Sequence, residues 1–155
     1  MTTTLQFSPQ RAARVCALSV CLWCAGGAAH AHLGGTQASI QADGIAWEAP
    51  AVAARNARFA VFTHATPEGV NVRQYVSTTG LVFAVAWDGP LLPDMERLLG
   101  SHFAMYQSAL QQRTRSVRVN APTLSLESGG MMRAFVGRAY LPDQLPAGVS
   151  AAELQ

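Results

Sequence analysis

The sequence predicts an α+β fold: a mostly antiparallel sheet of about five to six strands with one main amphipathic helix, about residues 94–112, packed on it in the order β-β-β-α-β-β-β. Three observations predict it. From Ala57 onward, short runs rich in β-branched and aromatic residues are parted by turn residues. A single stretch has apolar residues recurring at spacings of three and four. Strands and helices do not alternate, so nothing calls for a doubly wound parallel sheet.

In chain order, Arg58-Phe-Ala-Val-Phe-Thr-His64 and Val70-Asn-Val-Arg-Gln-Tyr-Val76 flank Thr66-Pro-Glu-Gly69, which supplies Pro and Gly where a hairpin turn needs them. After Ser77-Thr-Thr-Gly80, the run Leu81-Val-Phe-Ala-Val-Ala-Trp87 is apolar on both alternating faces, the mark of a central strand covered on both sides. Its Val82–Ala86 segment combines high β propensity with no charge, so a soluble domain has to keep it interior. Asp88-Gly89-Pro90 stops the strand. Met95, Leu98, Leu99, His102, Met105, Tyr106, Ala109 and Leu110 then recur with the helical period, with Asp94 placed to cap the first turn and Pro93 just ahead of it. Gly100 inside this helix costs about 1 kcal/mol relative to Ala and marks a kink or a close contact with the sheet.

Three further strands follow: Arg115-Ser-Val-Arg-Val-Asn120, Thr123-Leu-Ser-Leu-Glu127, and Met131-Met-Arg-Ala-Phe-Val-Gly-Arg-Ala-Tyr140. Ser128-Gly129-Gly130 is expected to join the last two, because a Gly-Gly pair accepts the positive φ angles of a tight turn. Residues 57–142 are thus the core domain. Residues 32–56 read as a partly ordered lead-in with a short helix or edge strand, and residues 143–155 as an irregular tail.

The first fourteen residues carry Arg11 and Arg14 and no acid, and they run into the apolar stretch Val15-Cys-Ala-Leu-Ser-Val-Cys-Leu-Trp-Cys-Ala25. This stretch falls short of the roughly 20 apolar residues of a bilayer-spanning helix, and small residues follow it, ending in Ala29-His30-Ala31. Residues 1–31 are therefore expected to be a signal peptide, cut after Ala31 or, in the alternative register, after Ala29. The product would be periplasmic or secreted, with no transmembrane helix. A lipid anchor would need a small residue before the modified cysteine, but Cys21 follows Val20 and Cys24 follows Trp23.

Cleavage changes the bulk properties. All three cysteines, Cys16, Cys21 and Cys24, leave with the signal, so the remaining domain has no disulfide and relies on its core. Of the eleven basic residues, all arginine, Arg11 and Arg14 leave as well; nine arginines then face nine acids. A near-neutral surface lacks the electrostatic footprint of nucleic-acid binding.

Candidate chemistry is sparse. With His32 as the new amino terminus, its α-amine and ring would chelate copper together with a second histidine, His64 or His102, since imidazole suits that ion. The ordinary roles are a chain end, a strand histidine and a half-buried helix histidine. Gly100-Ser101-His102 is no activated pair, because adjacent helix residues point about 100° apart. Asp88, Asp94 and Glu96 bracket a turn and would hold a hard cation or act as acid and base, but such residues commonly form turns and caps. Arg113, Arg115 and Arg118, joined by Arg133 and Arg138 from a neighbouring strand, form the one cationic stripe, suited to an anionic glycan or lipid headgroup. Tyr75, Trp87 and Tyr140 would line a ligand groove or simply pack across strands. No cofactor is implied.

Leu33-Gly-Gly35, Val72-Arg-Gln-Tyr-Val76, Gly80-Leu-Val-Phe-Ala-Val-Ala-Trp-Asp-Gly-Pro90, Pro93-Asp94, Leu98-Leu-Gly100 and Met132-Arg-Ala-Phe-Val-Gly-Arg-Ala-Tyr-Leu-Pro142 resemble domain-of-unknown-function family 2844, small exported proteins of Gram-negative bacteria. The resemblance spans nearly the whole chain after the signal. It implies export and a compact domain and brings no activity or catalytic residue with it. His32 departs from the family's pattern, in which a small residue often precedes Leu-Gly-Gly. The function expected is therefore that of a non-enzymatic binding or assembly accessory, whose sheet edge or arginine-bearing face meets a protein or envelope component. The alternative is a copper-binding or hydrolytic periplasmic enzyme using His32, His64 or His102.

Overall fold

The computed structural model describes residues 32–112 and 116–155. The expected signal peptide, residues 1–31 with Cys16, Cys21 and Cys24, lies outside the described residues, as do Arg113 and Arg115.

The elements are α1 (Gln37–Ala46), β1 (Val52–Arg55), β2 (Phe59–Ala65), β3 (Asn71–Ser77), β4 (Val82–Gly89), α2 (Met95–Leu99), a 3-10 turn at Gly100–His102, α3 (Phe103–Leu110), β5 (Ser116–Ala121), β6 (Leu124–Met131) and β7 (Ala134–Tyr140). All seven strands form one sheet, every neighbouring pair antiparallel, in the order β1-β2-β3-β4-β7-β6-β5. The α+β class and the antiparallel sheet agree with the sequence reading, and two details are corrected. There are seven strands rather than five or six, the extra one being β1, a four-residue edge whose side chains are all exposed and so leave no alternation to read. In addition, the lead-in, expected to hold a short helix or an edge strand, holds both, α1 and β1, ahead of the expected order.

The chain runs β1 to β4 as a meander, crosses through α2 and α3, and returns as a second meander that docks β7 against β4. That puts β4 at the centre. Val82 through Trp87 are at most 1% exposed, because two separate apolar clusters lie on the two faces of the sheet. On one face, Val72, Val85, Trp87 and Leu126 pack under Ile40 of α1, Leu98 and Leu99 of α2, and Tyr106 of α3. On the other face, Phe59, Tyr75, Phe83 and Ala84 pack under Val149 and Leu154.

The second cover comes from residues 142–155, which contain little more than the 3-10 turns Pro142–Gln144 and Ala151–Glu153. Polar clips hold it down. The Tyr75 hydroxyl donates to the Gln155 carbonyl at 2.7 Å, Arg138 donates to the Ala151 carbonyl at 2.7 Å, and Arg58 pairs with Glu153 at 2.7 Å and also donates to the Gly148 carbonyl. The Ser150 backbone N–H, and after it Arg58, hold the Glu153 carboxyl below its ordinary range.

Two glycine expectations are also corrected. Gly129 and Gly130 lie inside β6, and the turn into β7 is Met132-Arg133, with Arg133 at φ 63°. Gly130 is needed for another reason: a Cβ there would meet Phe135 Cδ1 at 2.6 Å. Gly100 does break the helix, at φ 53°, but what it approaches is not the sheet; a Cβ would meet the His32 ring at 2.5 Å. Asp94 caps α2 as expected, accepting from the Arg97 N–H at 3.0 Å.

Because each cover seals one face of β4, each is separately required. Leu154→Ala should lower the unfolding free energy by about 2–5 kcal/mol, the range for truncating a fully buried leucine. Ala84→Asp should yield no soluble, cooperatively melting protein, since the carboxylate would be buried against Phe83 and Tyr75 without a partner. Thermal melts of the two variants check both.

Candidate functional site

Charged and polar side chains gather in three places. The first is interior. His64 and Gln74 project from adjacent strands on the helix-covered face, and Asp43 projects from α1; all three are 0% exposed. The ring of His64 bonds through Nδ1 to the Ala49 carbonyl at 2.7 Å and through Nε2 to Gln74 Oε1 at 3.2 Å, while Gln74 Nε2 donates to Asp43 Oδ2 at 3.0 Å. Arg97 of α2 stands 3.7 Å from Asp43 Oδ1, and Trp47 meets the His64 ring edge-on at 5.1 Å. This chain of bonds satisfies groups that burial would otherwise penalise, and it ties α1 to β2, β3 and α2. Both His64 nitrogens are engaged inside the protein, so neither is open to a metal ion in this arrangement.

The second place is a shallow groove of about 370 Å³ lined by His32, Asp94, Glu96, Arg97, Gly100 and Ser101. The His32 ring lies over Gly100, and the missing side chain there makes room for it. His102 stands close enough to feel it: burial, and then the charge of His32, lower the His102 pKa below its ordinary value. His32 is therefore within electrostatic reach of His102. Among the described residues no group of three His, Cys, Asp or Glu is gathered to hold a metal. Asp88 is elsewhere, paired with Arg73 at 2.7 Å and accepting from Asn71 at 2.9 Å.

The third place is the part of the sheet that the 142–155 cover does not reach. Residues paired across antiparallel strands share a face, so the register draws one line of side chains straight across four pairings. Arg73 pairs with Ala86, Ala86 with Arg138, Arg138 with Glu127, and Glu127 with Arg118. Arg73, Arg138 and Arg118 are thus each two strands apart, roughly 10 Å at the usual strand spacing. Glu127 lies between two of them, 3.2 Å from Arg138 and 3.4 Å from Arg118. The groove along this row has a volume of about 430 Å³, with Gly129, Gly137 and Val136 in its lining beside the arginines and Leu154 closing one side. Arg73 Nε is buried and makes no hydrogen bond among the described residues, and Arg118 is 74% exposed.

Of the arginines singled out from sequence, Arg118 and Arg138 are brought together here. Arg133 sits apart at the β6–β7 turn, and Arg113 and Arg115 fall outside the described residues. Arg73 was missed. Its signal was present, since Arg73 alternates with the apolar Val72, but without the strand order nothing linked β3 to β5. Tyr75 and Tyr140 lie on the tail-covered face and Trp87 on the other, so the three line no common groove.

Fold and site together define an α+β domain with a seven-stranded antiparallel sheet, one face sealed by helices and the other half sealed by a tail, half open and arginine-bearing. The chain belongs to the family described as protein of unknown function (DUF2844), whose model matches residues 29–154. No curated protein and no solved structure matches it. Among the described residues no helix is long and apolar enough to cross a membrane.

Two measurements check these environments. A neutral His102 stabilises the fold above about pH 6.5, and that contribution is lost as the pH falls below it, because the unfolded chain takes up the proton more readily. His102→Gln should therefore flatten the fall in melting temperature between pH 7 and 5, and His32→Gln should raise the His102 pKa in an NMR titration. Gln74→Leu should destabilise by about 1–3 kcal/mol for each partner left unpaired, His64 and Asp43, as read from denaturant unfolding.

Proposed function

We propose that the protein is an exported, non-enzymatic binding or assembly accessory of the periplasm or cell surface, and that its arginine row takes an anionic group of an envelope component. The observation that carries this reading is the row itself. Three guanidinium groups are spaced evenly across the sheet face at and beyond the edge of the tail: Arg73 is paired with Asp88, while Arg138 and Arg118 share a single carboxylate, Glu127. In a chain whose charges otherwise nearly cancel once the leader is set aside, three arginines against Glu127 and Asp88 leave a local surplus of one positive charge, at the end where Arg118 and Arg138 share Glu127, with planar donors suited to carboxylate or phosphate.

Further features support the reading. The groove has the size of a small-ligand site and is built on strands, which hold side chains more rigidly than loops. The interior Asp43–Gln74–His64 chain, where acid, amide and imidazole converge, is closed to solvent and so offers a substrate no access. The copper alternative asks for His32 and a second histidine on one ion; His64 is committed to Ala49 and Gln74, which leaves His102, near His32, as the second ligand in that reading. Export rests on the leader, Arg11 and Arg14 followed by the apolar run and Ala29-His30-Ala31.

Titration calorimetry with glycerol 3-phosphate and with an oligouronate tests the row. Binding of at least one is expected, weakened about tenfold or more by Arg118→Gln, the loss of a charge-assisted bond from an exposed side chain whose removal leaves the fold intact. No binding of either probe, or affinity indifferent to Arg118→Gln and Arg73→Gln, would refute it.

A further inference from the structure

We infer that the β6–β7 hairpin tip is a membrane-docking element that inserts into an anionic lipid surface, with the arginine row behind it facing the headgroups; this rests in part on the anion-binding reading above. Met131 and Met132 are 78% and 96% exposed, adjacent, and at the end of the sheet. Val136, 59% exposed, continues the apolar strip along the open face, because Gly129 pairs with Val136 and Met131 with Ala134 on that side. A soluble monomer exposes single apolar residues freely, but a contiguous strip ending at a protruding turn marks a contact surface.

The turn adds an independent observation. Arg133 adopts φ 63°, a conformation that costs a non-glycine residue roughly 1–2 kcal/mol. Two glycines lie immediately upstream, yet the turn does not use them. The strain keeps a cation beside the two methionines at the tip, which is where a lipid phosphate would meet it. Glu127 and Arg138 pair four residues behind Met131, so Arg138 and Arg118 lie about 13 Å back along the strands, within side-chain reach of the headgroup layer when the tip is sunk to the acyl boundary. Met131 and Val136 share the face of the cationic row, with Met132 and Arg133 in the turn at its end, and a lipid surface is the partner that presents apolar and anionic layers in that order. A protein partner would need an acidic rim around an apolar pocket deep enough for both methionines.

Co-sedimentation of the protein, purified from the producing cell, with vesicles of phosphatidylglycerol and phosphatidylcholine in 30:70 proportion tests this, with pure phosphatidylcholine as the comparison. Binding to the anionic vesicles should exceed that to the neutral ones at least tenfold and weaken with salt. Met131→Ser with Met132→Ser should abolish most of it at an unchanged melting temperature, and Arg133→Gly should weaken it while raising stability. Equal binding by wild type and the double serine variant, or no preference for anionic vesicles, would overturn the inference. Glycerol phosphate taken up by the groove without vesicle binding would overturn it too and leave the anion-binding reading standing. Vesicle binding that needs the methionines but not Arg118 or Arg138 would support the docking tip and count against the row.

Discussion

A strand hidden on both faces needs two covers, and in this chain that requirement falls on β4. Val82 to Trp87 give it no polar side chain with which to meet water on either side. Helices supply one cover, through Leu98, Leu99 and Tyr106 over Val85 and Trp87. The other is a segment with almost no regular structure, held by Leu154 and Val149 in the apolar cluster and by Tyr75, Arg138 and Arg58 at its edges. At about 25 cal/mol per Å² of apolar surface removed from water, large side chains such as Leu154, Phe83 and Trp87 each contribute a few kcal/mol. Neither cover is dispensable in a domain whose net stability is of that order.

The tail's cover lies over β2, β3 and β4 and stops where Leu154 and Gln155 border the arginine groove. What lies beyond it must tolerate water, and the residues there are Arg118, Glu127 and Ser116 on one face of strands that stay apolar on the other, with Val117, Val119, Leu124 and Leu126. The open face is thus a consequence of how far the tail reaches. Arg138 belongs to both regions, donating to the Ala151 carbonyl on the tail side and to Glu127 on the open side. The same side chain that fastens the cover begins the cationic row.

Much of the fold was legible because the informative patterns are local. The two-sided apolar run from Leu81 to Trp87, the Thr66–Gly69 turn and the Asp94 cap each depend on a few neighbouring residues, and each is where it was expected. The misses share a cause. β1 has no alternation because nothing covers either of its faces. Gly129-Gly130 reads as a turn, but the constraint on Gly130 comes from Phe135, a cross-strand neighbour invisible in a linear reading. His64 reads as a possible ligand, and its interior hydrogen-bond partners, the Ala49 carbonyl and Gln74, lie 15 and 10 residues away in the chain. The arginine row was half visible: Arg118 and Arg138 follow from charge and strand assignment, whereas Arg73 required the β4–β7 pairing.

Residue-resolved hydrogen exchange, measured with and without residues 145–155, tests the dependence on β4 most directly. With the tail in place, the amides of Val82–Trp87 should be the slowest in the molecule, exchanging only through global unfolding, and β1 should exchange fastest of the strands. Without the tail, protection across Val82–Trp87 should collapse. Full protection of that strand in the shortened protein would contradict the account.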